Sequence, residues 1–130
     1  MSAAHEIMAE LLAADLLLTR NGERLHIVSP LGRPLSDTLR ERIVAHRTEL
    51  LAWLAWSEWA DELLLQMTEH LTVRYRRGCP LDGEQWRAAA EALTAAYHAH
   101  ETATLLAAIA GYERFARECF AAYEKEHRHA

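Results

Sequence analysis

The sequence predicts a mainly α-helical protein that contains one β-hairpin. Ala, Leu and Glu dominate its 130 residues, and only five Gly and three Pro interrupt them, a composition that favours helix. Over most of the chain the apolar residues recur at intervals of three and four, which is the helical period. The exception is LLLTRNGERLHIV, from Leu16 to Val28, where the period changes to two around an Asn-Gly pair, a strong hairpin signal.

The first helix and the hairpin follow from this change of period. His5–Asp15 is predicted as a short amphipathic helix. Asn21-Gly22 is the predicted turn, because a type I′ turn needs positive φ at both positions. This turn pairs Arg20 with Glu23 and Leu18 with Leu25. One face then carries Leu16, Leu18, Leu25 and Ile27, and the other carries Leu17, Thr19, Arg24 and His26. The aliphatic face must pack on helices, since a two-stranded hairpin is marginal alone, and at least one strand edge stays unpaired.

A turn-rich connector over Ser29–Pro34 leads to the next helix. Ser36 is its predicted N-cap. Apolar residues follow at helical spacing: Leu39, Ile43, Leu50 and Leu54. His46 falls on the same stripe and is expected as a hydrogen-bonded core residue. The helical pattern continues to Arg77, either as one long bent helix or as two helices joined near Ala55–Ser57.

The second half of the chain predicts a helical hairpin. Gly78-Cys79-Pro80 is a helix stop, and Asp82 with Gln85 resembles a capping pair for the next helix. The last helix shows a coiled-coil-like seam: Leu105, Ile109, Tyr112, Ala116, Cys119 and Tyr123. The turn between the two helices is predicted near His98–Thr102. We therefore predict a unit of helix, hairpin and helix over residues 1–55, and a helical region over 56–130 that ends in an antiparallel helical hairpin.

The N-terminal unit resembles a known family. The matching residues are the Gly22 turn and Leu25, then Leu39-Arg40, Ile43, His46-Arg47, Glu49-Leu50-Leu51 and Leu54. With the order of elements, they make residues 4–54 similar to the TubC-type N-terminal docking domain of bacterial nonribosomal peptide synthetases. The resemblance implies an αββαα docking unit, often dimeric, whose hairpin receives a short acidic or mixed-charge peptide from a partner's C-terminus. By position, the implied partner-binding residues are Leu17, Thr19, Arg20, Arg24 and His26.

The predicted function is a non-enzymatic docking or adaptor module. An unpaired strand edge supplies backbone donors and acceptors for an added strand, while the neighbouring side chains select the partner. The alternatives stay open: the hairpin closes a homodimer, or it lies against the chain's own helices. The protein is also a candidate inhibitor that acts by docking.

A nucleic-acid accessory role is the second choice. The resemblance extends to short proteins of phages, plasmids and replication cassettes, and Arg74, Arg76 and Arg77 form a small basic cluster. The net charge of −5 argues against a protein held to phosphate by charge alone.

Other chemistry finds little support in the sequence. The eight His and two Cys show no HExxH motif and no zinc spacing, and no Gly-rich phosphate loop is present, so we expect no metal, no cofactor and no enzyme activity. No apolar stretch reaches the roughly 20 residues that span a bilayer, and no signal peptide is recognised. We therefore expect a soluble, cytoplasmic protein that does not bind membranes.

Overall fold

The computed structural model describes residues 2–74 and 83–127, with side chains described over 2–71 and 83–126. Its elements in chain order are α1 (Ala3–Ala13), β1 (Leu17–Asn21), β2 (Arg24–Val28), α2 (Asp37–Ala45), α3 (Arg47–Arg74), α4 (Gly83–Ala99) and α5 (Thr102–His127). The predicted fold class, mainly α with one β-hairpin, is confirmed. The chain divides into two compact units, Met1–Trp56 and Ser57–Ala130, and each is described by itself.

The first unit begins with α1, whose two ends are both capped. The Ser2 hydroxyl accepts a hydrogen bond from the backbone N–H of His5 at 3.2 Å. At the other end Asp15 has φ of 57°, and the N–H of Leu16 donates to the carbonyl of Leu11 at 2.9 Å. This left-handed residue ends the helix and turns the chain directly into β1.

The hairpin is confirmed, but its predicted register is wrong by two residues. The turn residues are Gly22 and Glu23, and the strands pair Asn21 with Arg24 and Leu18 with Ile27. Gly22 has φ of 62°, whereas neither Asn21 nor Glu23 has a positive φ. Positive φ at only the first turn position fits a type II′ turn, where Gly stands first. Because side chains alternate with a period of two, the shift leaves every side chain on its predicted face.

The core of the first unit forms where the hairpin meets the helices. Ile7, Leu11 and Leu50 are almost wholly buried. Around them lie the other buried members of the same cluster: Ala4, Leu16, Leu18, Leu39, Ile43 and Leu54. Leu25 and Ile27 pack against this cluster but stay half-buried. The predicted aliphatic face of the hairpin therefore packs on helices, as expected.

The helix break after the connector lies at His46. Ser36 is the N-cap of α2, as predicted, and its hydroxyl accepts a hydrogen bond from the N–H of Leu39 at 3.2 Å. α2 ends at Ala45, and His46 has φ of −111° and ψ of 27°. α3 then runs without interruption through Ala55–Ser57, so the predicted alternatives, one long helix or a join at 55–57, are both wrong. His46 lies half-exposed at the break rather than in the core.

The second unit contains the helical hairpin formed by α4 and α5. The predicted turn near His98–Thr102 is confirmed, and His100 in that turn has φ of 56°. Leu105, Ile109 and Ala116 of the predicted seam are buried, whereas Cys119 is only half-buried. Gly78-Cys79-Pro80 and Asp82 lie outside the described residues. Over the described ranges, no helix is both long enough and apolar enough to cross a membrane.

Candidate functional site

Neither outer edge of the hairpin pairs with a further strand in the part of the chain that the structure describes. Within the described residues, the sheet contains only β1 and β2. Asn21 and Arg24 flank the two-residue turn and form a hydrogen-bonded pair. Along an antiparallel ladder, such pairs alternate with pairs whose backbone groups do not bond each other, and Leu25 and Ile27 belong to pairs of the second kind. Leu25 and Ile27 therefore direct their backbone N–H and C=O groups away from β1. These groups form a row that another strand can bind.

The two edges of the hairpin differ in their access to solvent. α1 contacts β1, and the inward side chains Leu16 and Leu18 are 2% and 5% exposed. On β2 the inward side chains Leu25 and Ile27 are only half-buried. β1 therefore lies over the core, and β2 lies at its margin. The outer edge of β2 is the more accessible of the two.

Four of the five predicted partner-binding residues share the exposed face of the hairpin. Thr19 lies opposite His26, and Leu17 lies opposite Val28 rather than His26. Arg24 stands beside the turn on the same face. Leu17 and Val28 are 48% and 44% exposed, so the open end of this face is apolar and the turn end is polar. The sequence analysis missed Val28, although its position two residues after His26 places it on this face.

Arg20 is separated from the other four residues. It lies on the same face as Leu18 and opposite Leu25, so the predicted Arg20–Glu23 pair is wrong. Its guanidinium donates a hydrogen bond to the carbonyl of Gly22 at 3.2 Å. Arg20 thus binds the turn of its own hairpin, and the structure does not bring it together with Arg24 and His26.

Two arginines that the sequence analysis did not assign fix the hairpin and the helices around it. The Arg47 guanidinium, at the start of α3, donates to the backbone carbonyl of Glu23 in the turn. On α2, Arg42 donates to the Glu10 carboxylate of α1 at 2.5 Å and lies 3.9 Å from Glu6. The Arg42 hydrogen bond holds the pKa of Glu10 below its usual value. Both contacts join residues far apart in the sequence, which is why periodicity gives no sign of them.

The other predicted sites stay untested. The Arg74 side chain is not among those described, and Arg76 and Arg77 lie outside the described residues. Nucleic-acid contact by these three arginines therefore stays a prediction. Among the described residues, no group of three or more His, Cys, Asp or Glu side chains is arranged to hold a metal ion.

Comparison with known proteins agrees with the geometry of the first unit. Neither the curated proteins nor the solved structures gave a match to the chain. The family model of the TubC N-terminal docking domain matches residues 5–55, which include α1, the hairpin, α2 and the start of α3. Such a match indicates a protein–protein docking module. Over residues 5–55, the chain is therefore similar to the TubC N-terminal docking domain, as its sequence predicted.

Proposed function

We propose that this protein is a non-catalytic adaptor that binds a segment of another protein as a third strand at the outer edge of β2. The observation that supports this most directly is the row of outward backbone groups at Leu25 and Ile27, on the edge of β2 that faces away from β1 and that no described strand pairs. Strand addition uses such groups for affinity and the flanking side chains for specificity. The family match to residues 5–55 supports the same reading.

The side chains of β2 define the partner that would fit. An added strand would place alternate side chains beside Arg24 and His26 on the exposed face, and beside Leu25 and Ile27 on the inner face. The first environment favours acidic residues, and the second favours apolar ones. The partner is therefore a short segment that alternates acidic and apolar residues.

The corrected register adds a polarity along the hairpin. Arg24 lies next to the turn, whereas Leu17 and Val28 form an exposed apolar pair at the open end. An acidic residue of the partner fits near the turn, and an apolar residue fits the open end. This gradient distinguishes a specific partner from any extended acidic peptide.

The binding experiment uses the full chain and a short blocked peptide that alternates Glu with Val. A control peptide of the same composition carries its Glu and Val residues in two separate blocks. Amide chemical shifts are followed by NMR during titration. We expect saturable shifts at Leu25 and Ile27 with the alternating peptide and much weaker shifts with the control. Shifts confined to residues outside the hairpin would contradict the proposal.

Charge reversal tests the role of the exposed face. Arg24→Glu replaces attraction by repulsion at one exposed position, so we expect the affinity for the alternating peptide to fall by about two- to tenfold. Arg40→Glu is the matched control, because Arg40 is an exposed arginine of α2 in the same unit. An equal loss of affinity in both variants would assign the effect to overall charge rather than to the hairpin.

A second copy of the chain is the competing occupant of this edge. If two copies pair at β2, the predicted homodimer forms through the hairpin, and the peptide must displace it. Light scattering at several protein concentrations, with and without the alternating peptide, separates the two cases. A dimer that dissociates as the peptide binds identifies the edge of β2 as a self-association site. A molar mass that does not fall when the peptide binds indicates that the edge is available to a partner protein.

A further inference from the structure

The second unit contains a surface cavity of about 480 Å³, widely open to solvent, that is lined by residues of α3, α4 and α5. This volume lies in the range of small-molecule sites. Its apolar lining comes from Leu64, Ala90 and Leu93, and its polar lining includes Asp61, Tyr97 and Tyr112. Leu64 and Leu93 are half-buried although they line a concave surface, so a ligand there would remove further apolar area from water.

Hydrogen bonds hold the polar side chains of the cavity in place. Burial raises the pKa of Tyr97, and the Asp61 carboxylate raises it further, whereas Ser57 lowers it. The Ser57 Oγ lies 3.0 Å from Nε2 of His100. On the other side, the indole N–H of Trp86 donates to the Tyr112 hydroxyl at 3.1 Å. The Tyr112 ring is therefore positioned by a partner outside the lining of the cavity.

The charge of the cavity selects one kind of ligand. Asp61 is the charged group in its lining, and none of the described lining residues is Lys or Arg. A carboxylate beside aromatic rings attracts an organic cation through charge and through cation–π interaction. An anionic ligand would meet the Asp61 carboxylate without compensation. The apolar residues Leu64 and Leu93 require that the cation carry an apolar body.

We propose that this cavity binds a small organic ammonium ion, with the ammonium group at Asp61 and the apolar body against Leu64 and Leu93. The site lies wholly in the unit Ser57–Ala130 and shares no residue with the hairpin. A small ammonium ligand is preferred to a protein segment because the lining is concave and carries a single carboxylate.

The test compares 2-phenylethylamine with its neutral analogue 2-phenylethanol, using the full chain. Methyl chemical shifts of Leu64 and Leu93 are followed by NMR as each compound is added. We expect both compounds to shift these methyl groups, with the amine binding about two- to fivefold more tightly, and the advantage of the amine falling as salt is raised. No methyl shift with the amine, or equal affinities for the two compounds, overturns the proposal.

Two variants assign the preference to one carboxylate. Asp61→Asn should bring the affinity for the amine to that for the alcohol. Glu62→Gln, on the same helix, removes an equal charge from an exposed residue that contacts Gln66 and should leave the amine affinity unchanged. If Asp61→Asn perturbs folding, the salt dependence of the two affinities in the unmodified chain still tests the charge. An unchanged ratio of affinities at low and high salt would then refute a role for Asp61.

Discussion

Replacing Leu50 by Ala tests how the N-terminal unit supports the hairpin. Leu50 is 0% exposed, as is Ile7 of α1, and Leu11 is 1% exposed. These residues share one cluster with Leu18 of β1. The substitution removes most of a buried side chain at the meeting point of three elements. We therefore expect a loss of about 3–5 kcal/mol in the free energy of unfolding of this unit, the range for a buried leucine that leaves a cavity.

This loss is large compared with the stability of so small a unit. Folded domains gain about 0.05–0.15 kcal/mol per residue, which gives roughly 3–8 kcal/mol for the unit Met1–Trp56. Leu50→Ala is thus expected to unfold a substantial fraction of the N-terminal unit at room temperature. Since an isolated hairpin is marginal in water, β1 and β2 should lose their pairing at the same time.

Amide hydrogen exchange across residues 17–28 measures this coupling. We expect protection of the hairpin amides to collapse in Leu50→Ala, and binding of the alternating Glu and Val peptide to be lost with it. The matched control is Leu65→Ala, at a leucine of α3 that is 52% exposed; it should reduce stability by less than about 1 kcal/mol. Hairpin protection that survives in Leu50→Ala, or equal effects of the two substitutions, would refute the account of the core.

Three further substitutions test local features. Gly22→Ala places a Cβ at φ of 62° with no other atom within 4 Å, so only the backbone conformation opposes it, and urea denaturation should show a loss of about 1–2 kcal/mol. Ser36→Ala removes the N-cap hydrogen bond of α2 and should reduce stability by about 1 kcal/mol, whereas Ser36→Thr should retain most of it. Burial, followed by the hydrogen bond to Asp61, raises the pKa of Tyr97 above its ordinary value of 10.0. Its contribution to stability is therefore complete below pH 10 and is lost as the pH rises from there through the folded pKa. Tyr97→Phe should remove this alkaline loss, as measured by urea denaturation at increasing pH.

Local signals in the sequence predicted the elements whose causes are local. Ser36 caps α2 because its own side chain reaches the N–H three residues later, and an N-cap can be recognised without knowing the tertiary fold. The turn between α4 and α5 also lay where the periodic pattern stopped. These features depend on neighbours in the sequence, so they could be predicted.

The helix break at His46 has no comparable local signal, although the αββαα order implied by the family resemblance includes two helices after the hairpin, as the structure does. Ile43 and Leu50 lie seven positions apart, a spacing that fits an unbroken helix as well as a broken one. No Gly or Pro stands at the break. The break brings α2 and α3 onto one core, which is a tertiary requirement. The contact of Arg47 with the Glu23 carbonyl is of the same kind, and neither was predictable from periodicity.

The two-residue error in the hairpin register shows that an alternating strand pattern determines which face a side chain occupies but not which residue it pairs with. Alternation assigns each side chain to a face, and a shift of two residues preserves that assignment, so Thr19, Arg24 and His26 lie on the exposed face in either register. The pairing across the strands does change: Leu17 meets Val28 instead of His26. Alternation therefore predicted which residues would form the exposed face. The structure adds the pairing of two exposed apolar residues, Leu17 and Val28, at the open end of this face, while Arg24 lies at its turn end. Under the proposed function, a partner segment would have to match that order along the strands.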